Sequence, residues 1–214
     1  MFFEANLLRR WYRSSATVNR DRRAKGRRID MNNKVHSFVI NGFPIEVADM
    51  PKSISPLIIY GELQADCYGL NRIDFKPGDV IIDIGAHIGM FAIYTALRFP
   101  QVVIHAFEPF PENFERLKQN LDRNGITTVR IHHQGATGDG RLLEMVTSPQ
   151  NSGGSTCHSR TLEYGRITGI PSTTLDHIFD SLGVDKCNAK VPSSYRRKIV
   201  LDKSRNADNL RRGE

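Results

Sequence analysis

The sequence contains little cysteine. Its 214 residues include only Cys67, Cys157 and Cys187, and no two of them form a C-x-x-C pair. Such pairs are typical of zinc and thiol redox sites, so their absence argues against a bound metal. Isolated thiols are typical of a protein kept in a reducing compartment, and we therefore expect a cytoplasmic location and no metal cofactor.

Long apolar runs are absent as well. No stretch approaches the roughly 20 apolar residues that a membrane-spanning helix needs, and we expect neither a transmembrane segment nor a secretory leader. The sequence also lacks the phosphate-binding loop G-x-x-x-x-G-K-[ST], the zinc motif H-E-x-x-H and the hydrolase motif G-x-S-x-G. The enzyme classes that depend on these motifs are therefore disfavoured.

Positive charge is concentrated at the two ends of the chain. Residues 1–30 and 186–214 each carry a net charge of +6, whereas residues 31–185 carry −5. A continuous basic surface is therefore not expected in the central region, and we predict no specific nucleic-acid partner.

The charge distribution predicts three segments. Residues 1–33 form a basic, disordered leader, residues 34–185 form the folded domain, and residues 186–214 form a basic, disordered tail. The leader has three alternative interpretations: a native leader, a transit peptide, or sequence upstream of an effective start at Met31. The oligomeric state is not predicted.

The most informative stretch is an apolar strand that leads into a glycine turn. Residues 80–84 form a continuous apolar run around Asp83, which is typical of a buried parallel strand. Gly85 and Gly89 allow a sharp turn that a ligand can approach closely, and a helix is expected over residues 88–97. Strand, turn and helix form the ligand-binding corner of an open α/β sheet.

The pattern at this corner is D-x-G-x-x-x-G rather than the G-x-G-x-x-G of dinucleotide sites. The Asp83 carboxylate would repel a pyrophosphate but suits a ligand with a cationic amino group, such as S-adenosylmethionine. Glu108 ends the next apolar strand, where an acid can accept hydrogen bonds from both ribose hydroxyls. NAD enzymes use the same device, so an NAD-linked oxidoreductase stays an alternative.

Other elements surround this corner. Strands at 35–40 and 43–47 flank Asn41-Gly42, a strong hairpin signal. A helix begins near Pro111 and ends at Asn124-Gly125, and a third parallel strand is expected over residues 127–132.

The second half of the domain is less regular. We expect a strand over residues 141–147, a mobile Gly/Ser loop over residues 148–155, and a helix that begins near Thr173 and ends at Gly183.

Three histidines are candidates for chemistry. His132 and His133 end the third strand on the ligand side of the sheet, and either could act as general base for a hydroxyl acceptor. Alternation along the strand points them to opposite faces, so at most one can face the cleft. His87 lies in the glycine turn, where it is either a loop hydrogen-bonding residue or a chemical group.

These motifs, in this order and spacing, resemble the FkbM-type S-adenosylmethionine-dependent methyltransferases. The likeness runs from about Phe38 to Lys186, and it rests on residues 83–89 (DIGAHIG), 106–109 (AFEP), 111–114 (PENF), 153–155 (GGS) and 174–176 (TLD).

The resemblance implies a class I methyltransferase, Rossmann-like α/β open sheet preceded by a β-hairpin. It also implies an O-methyltransferase whose acceptor is a hydroxyl on a sugar, glycolipid or related small molecule, with bacterial signal oligosaccharides as one example. The cofactor-binding residues that it implies are Asp83, Gly85, Ala86, His87, Gly89 and Glu108.

The C-terminus departs from the family pattern. The family continues into a buried strand that reads roughly L-L-K-I-D-x-E-G-A-E, and Ile199–Asp202 are only a faint echo of it. We therefore predict that the sheet is incomplete on its C-terminal side and that nothing flanks the first central strand. This departure predicts that the chain is a truncated or frame-shifted member of the family. The alternative function is that of a catalytically inactive remnant.

Overall fold

The computed structural model describes residues 33–146, 152–154, 166–183, 189–190 and 198–201. The predicted leader up to residue 32 and most of the predicted tail lie outside the described residues, as do Cys157 and Cys187. The predicted segment boundaries therefore stay predictions.

A β-hairpin and a helix open the described part of the chain. Strands β1 (Lys34–Ile40) and β2 (Phe43–Asp49) pair antiparallel in register. Asn41 and Gly42 connect them with φ angles of 49° and 89°, the two positive values that a type I′ turn requires. This confirms the predicted hairpin. Helix α1 (Ser55–Gln64) follows.

Three parallel strands form the centre of the fold. They are β3 (Val80–Ile84), β4 (Val103–Phe107) and β5 (Val129–His132), and they lie side by side in that order. Helix α2 (Met90–Arg98) connects the first two strands, and helix α3 (Pro111–Arg123) connects the second pair. The predicted α/β class with a parallel Rossmann-like sheet is confirmed.

Smaller elements follow the third parallel strand. Strand β6 (Gly135–Ala136) pairs with β9 (Ser172–Thr173), and β7 (Leu143–Val146) pairs with β8 (Arg166–Ile170). Helix α4 (Leu175–Leu182) begins after Thr174, whose side-chain oxygen accepts a hydrogen bond from the His177 N–H. Thr174 is therefore the cap of this helix.

The flank of the first central strand differs from the prediction. Strand β10 (Ala189–Lys190) pairs with β11 (Lys198–Leu201), and β11 pairs antiparallel with β3. The prediction that nothing flanks β3 was therefore wrong. An unpaired central strand leaves its backbone donors and acceptors without partners. The short apolar segment of β11 pairs with these groups of β3, although charged residues flank it in the sequence.

The sheet buries a different cluster on each face. Ile81 and Ile104 face α2, α3 and the hairpin, whereas Ile82 and Phe107 face Ile178 of α4. Alternation along β3 therefore turns Asp83 toward the α2 and α3 side, where it is completely buried.

A buried asparagine ties the hairpin to this layer. The Asn120 side chain accepts a hydrogen bond from the Ala48 N–H at 2.7 Å and donates to the Ala48 and Ile88 carbonyls at 3.1 and 2.9 Å. Because all three partners are backbone groups, the contact fixes α3 against β2 and the turn that follows β3. No helix within the described ranges is long and apolar enough to cross a bilayer.

Candidate active site

A cavity of about 370 Å³ opens where the glycine turn meets the end of β4. Its wall is formed by α1, residues 85–87, residues 108–110 and the short turn at residues 152–154. The volume lies within the roughly 300–1,000 Å³ range of small-molecule sites. The cavity is therefore the candidate binding site.

The glycine turn is fastened to the neighbouring strand. The Gly85 and Ala86 N–H groups both donate to the Phe107 carbonyl, at 2.8 and 2.9 Å. Gly85 has a φ of 70°, a conformation that glycine adopts at little cost. The turn therefore reaches the end of β4, beside which Glu108 lies.

Glu108 is held by two backbone donors. Its Oε2 accepts a hydrogen bond from the His87 N–H at 2.7 Å, and its Oε1 accepts one from the Phe110 N–H at 3.0 Å. Hydrogen bonds to a carboxylate are among the stronger ones in proteins, so two of them fix its orientation. The two halves of the predicted cofactor motif therefore meet at one wall of the cavity.

His87 has an unusual environment. Its φ is 57°, which is uncommon for a residue other than glycine, and its Nε2 lies 2.6 Å from Ser152 Oγ. Burial lowers the pKa of His87 to about 4, although the Asp49 carboxylate opposes this shift and Arg116 adds to it. The imidazole is therefore neutral at pH 7.

Two of the predicted cofactor-binding residues, Asp83 and Gly89, do not line the cavity. Asp83 lies within β3 as predicted, one residue before the strand ends. Gly89 has a φ of 90°, and a Cβ at this position would lie 2.4 Å from Leu117 Cδ1. Gly89 therefore permits close packing of the turn against α3. Gly85, Ala86, His87 and Glu108 line the cavity, and their binding role stays a prediction.

Known proteins resemble this part of the chain. Residues 83–188 match the family described as the methyltransferase FkbM domain. This segment of the chain is therefore similar to the FkbM-type methyltransferases. The chain is 42% identical over 69 residues to the 31-O-demethyl-FK506 methyltransferase FkbM of Streptomyces tacrolimicus, covering 32% of this chain and 26% of that protein.

Two fungal proteins match a longer segment. Methyltransferase 1 of Beauveria bassiana is 32% identical over 102 residues, covering 47% of this chain and 40% of that protein. Methyltransferase sdnD of Sordaria araneosa is 33% identical over 105 residues, covering 48% and 40%. The chain therefore spans between a quarter and two fifths of the length of these relatives.

Solved structures resemble this chain only distantly. M. jannaschii TYW2 in complex with AdoMet aligns with 50% of this chain and 45% of its own, with a TM-score of 0.35 and 18% identity. A likeness at this level carries no argument about the site.

The two predicted histidines at the end of β5 have other surroundings. His132 Nε2 is 3.0 Å from His105 Nδ1, and its ring stacks on Phe107 at 4.2 Å. Burial and the nearby Arg130 lower the pKa of His132. His133 is exposed and stacks on Phe114 at 4.5 Å. Neither lines the 370 Å³ cavity, so a base role for either stays an untested prediction.

Several residues at the cavity were not predicted from the sequence. Glu62 and Tyr68 line the wall, and the Tyr68 hydroxyl donates to Glu62 Oε2 at 2.5 Å. Ser152 lies in the loop predicted to be mobile, yet it is 1% exposed. The Gly-Gly-Ser motif marks that loop, but no sequence pattern pairs it with Asp49 of the hairpin.

A second cavity of about 380 Å³ lies beyond the end of β3. Its wall includes Ile84, Thr137, Thr174 and Asp176, and none of the predicted cofactor residues lines it. The first cavity is therefore the one that the predicted cofactor residues define.

Proposed function

We propose that this chain binds S-adenosylmethionine in the 370 Å³ cavity and transfers its methyl group to a hydroxyl of a small acceptor. One observation carries the proposal: the His87 N–H of the glycine turn donates to Glu108 Oε2 at 2.7 Å. This contact brings the two sequence motifs of a nucleoside-cofactor site to one cavity wall. The FkbM domain match supports the same activity.

The composition of the wall fits this cofactor. The carboxyl groups of Glu62 and Glu108 give the cavity acidic character, which favours a cation over a pyrophosphate. Tyr68, Phe91 and Phe110 add aromatic surface for a planar base or a positively charged sulfur. The same acidity disfavours the NAD-linked alternative.

Each part of the wall has a role in the proposal. When bound, S-adenosylmethionine supplies an activated methyl group on a cationic sulfur. Glu108 accepts hydrogen bonds from the ribose hydroxyls, and its two backbone donors keep it oriented for them. Asp83 and Gly89 do not line the cavity, and their roles are indirect. Asp83 contributes negative charge, and Gly89 sets the position of the glycine turn.

The acceptor is a sugar, a glycolipid or a related small molecule with a free hydroxyl. The name of the Streptomyces tacrolimicus relative, 31-O-demethyl-FK506 methyltransferase, denotes an oxygen acceptor on that protein's substrate. This supports oxygen as the methylated atom and leaves the acceptor's carbon skeleton open.

Methyl transfer can be measured directly. The full chain is incubated with S-adenosylmethionine labelled in its methyl group and with separate glycan, glycolipid and macrolide acceptors. We expect label in at least one acceptor and equimolar S-adenosylhomocysteine as the co-product. Binding of S-adenosylhomocysteine without transfer to any acceptor would favour the inactive remnant, and NADH binding in its place would favour an oxidoreductase.

A further inference from the structure

Three side chains form a hydrogen-bonded series beside the cavity. Ser152 Oγ donates to Asp49 Oδ2 at 2.7 Å, and His87 Nε2 lies 2.6 Å from the same hydroxyl oxygen. Asp49 and Ser152 are at most 1% exposed. The series therefore connects the end of the hairpin to the glycine turn through the turn at residues 152–154.

The hydroxyl proton determines how the series is protonated. Ser152 has one hydroxyl proton and donates it to Asp49, because a carboxylate oxygen can only accept. Ser152 Oγ must then accept from His87, so His87 carries a proton on Nε2. Ser53 Oγ, at 3.1 Å, can donate to the second lone pair of Ser152 Oγ.

The other ring nitrogen of His87 is then an acceptor. Burial keeps the pKa of His87 at about 4, so at neutral pH the ring has one proton and Nδ1 has none. Within the described part of the chain, Nδ1 makes no hydrogen bond. His87 is one of the residues that line the cavity.

We propose that Asp49 and Ser152 hold His87 as its Nε2–H tautomer, so that Nδ1 accepts a hydrogen bond from a ribose hydroxyl of the bound nucleoside cofactor. This proposal rests on the proposed function. The His87 N–H contacts the Glu108 carboxylate, and both residues line the cavity, so the residues that carry the two acceptors are neighbours at one wall. Ribose has two adjacent hydroxyls, and each can donate to one of these acceptors.

The lowered pKa of His87 distinguishes this role from base catalysis. A nitrogen with a pKa near 4 accepts a hydrogen bond at neutral pH but is a weak proton acceptor for a hydroxyl. His87 is therefore a cofactor-binding residue, and Ser152 is the positioning residue that fixes its tautomer.

Two substitutions separate the two ring nitrogens. The amide nitrogen of His87→Gln can reproduce the Nε2 donor to Ser152, but no acceptor replaces Nδ1. The amide oxygen of His87→Asn can reproduce the Nδ1 acceptor, but the side chain is too short to reach Ser152. Asparagine also tolerates the positive φ at this position better than glutamine, so folding of each variant is verified by its thermal melt.

Binding of S-adenosylhomocysteine, measured by calorimetry, tests the acceptor role. We expect His87→Gln to weaken binding about tenfold, as for the loss of one hydrogen bond, and His87→Asn to stay within about threefold of wild type. The 2′-deoxy and 3′-deoxy analogues extend the test. For one of them the difference between wild type and His87→Gln should vanish, because the donor is gone.

Nitrogen-15 NMR of the histidine side chains tests the tautomer without any ligand. The chain has 7 histidines, and the His87→Asn spectrum identifies the His87 signals by their absence. We expect a protonated Nε2 and a bare Nδ1 in wild type, and a mixture of tautomers in Ser152→Ala. The control Ser181→Ala removes a hydroxyl from α4, on the opposite face of the sheet, and should leave the His87 signals unchanged.

Three results would overturn the proposal. A proton on Nδ1 in wild type contradicts the tautomer, and equal affinities of wild type and folded His87→Gln for S-adenosylhomocysteine contradict the acceptor role. Wild-type protein that does not bind S-adenosylhomocysteine removes both the proposed function and the ribose contact. The ligand-free spectrum distinguishes that failure from a failure of the tautomer assignment.

Discussion

The His87 backbone N–H donates a 2.7 Å hydrogen bond to Glu108 Oε2, and this contact joins the glycine turn after β3 to the end of β4. The Phe110 N–H donates to the other oxygen of the same carboxylate. The Glu108 side chain therefore holds the backbone of the glycine turn and of the segment that follows β4. A change at Glu108 should affect both folding and binding.

The first prediction concerns Glu108→Gln. The amide has one accepting oxygen, so one of the two backbone donors loses its partner, and the negative charge at the cavity wall is lost. We expect S-adenosylhomocysteine to bind at least tenfold more weakly and the free energy of unfolding to fall by roughly 1–3 kcal/mol. Calorimetry and urea unfolding measure the two effects.

The control for this substitution is Glu112→Gln, which neutralises an exposed carboxylate in the first turn of α3. It should leave the affinity unchanged. Equal losses of affinity in the two variants would show that general charge, and not the Glu108 contacts, governs binding.

The second prediction concerns the packing of the glycine turn. In Gly89→Ala the new Cβ would lie 2.4 Å from Leu117 Cδ1 at a φ of 90°, so the variant has both a clash and backbone strain. We expect it to lose about 2–4 kcal/mol of unfolding free energy. Gly125→Ala has a similar positive φ but nothing within 4 Å, so it should lose only about 1 kcal/mol. Equal losses would show that the contact with Leu117 relaxes at no cost.

The third prediction concerns the buried Asn120. Its replacement by alanine leaves the Ala48 N–H and the Ala48 and Ile88 carbonyls without their side-chain partner. We expect a loss of about 2–4 kcal/mol, measured by urea unfolding, because buried backbone groups are costly to leave unpaired. The exposed neighbour in Gln119→Ala should change stability by less than about 0.5 kcal/mol.

The sequence predicted the regular elements well where a local signal exists. Asn41-Gly42 predicted the hairpin because only a few residues adopt two successive positive φ angles. The apolar runs at β3 and β4 predicted buried parallel strands, and the glycines between β3 and α2 predicted the turn. These signals are local, so a single sequence contains them.

Contacts between distant segments could not be predicted in the same way. The pairing of β11 with β3 joins residues 198–201 to 80–83, and the charges beside Ile199 hide its strand character. Ser152 and Asp49 are 103 positions apart, and nothing in either local sequence indicates their contact. Packing of the complete fold determines both.

The fourth prediction concerns pH. The pKa of His87 is about 4 in the folded protein and 6.5 when unperturbed, so the unfolded state binds more protons between these values. The free energy of unfolding should therefore decrease as pH falls from 6.5 toward 4. The loss is at most about 3–4 kcal/mol at roughly 1.4 kcal/mol per pKa unit. The charged groups that act on the ring are Asp49 and Arg116, and Glu108 contacts the backbone N–H of the same residue.

Urea unfolding at pH 7 and at pH 5 measures this effect. Wild type should lose more stability over this interval than His87→Asn, which cannot titrate. Identical losses in the two proteins would show that His87 does not titrate with the lowered pKa.

Calorimetric titration of the wild-type chain with S-adenosylhomocysteine tests the proposed cofactor site most directly. We expect saturable binding with one site per chain, and we expect Glu108→Gln to weaken this binding while Glu112→Gln does not. No heat and no thermal stabilisation of wild type at millimolar ligand would contradict the claim that the glycine turn and Glu108 form a site for the methyl donor.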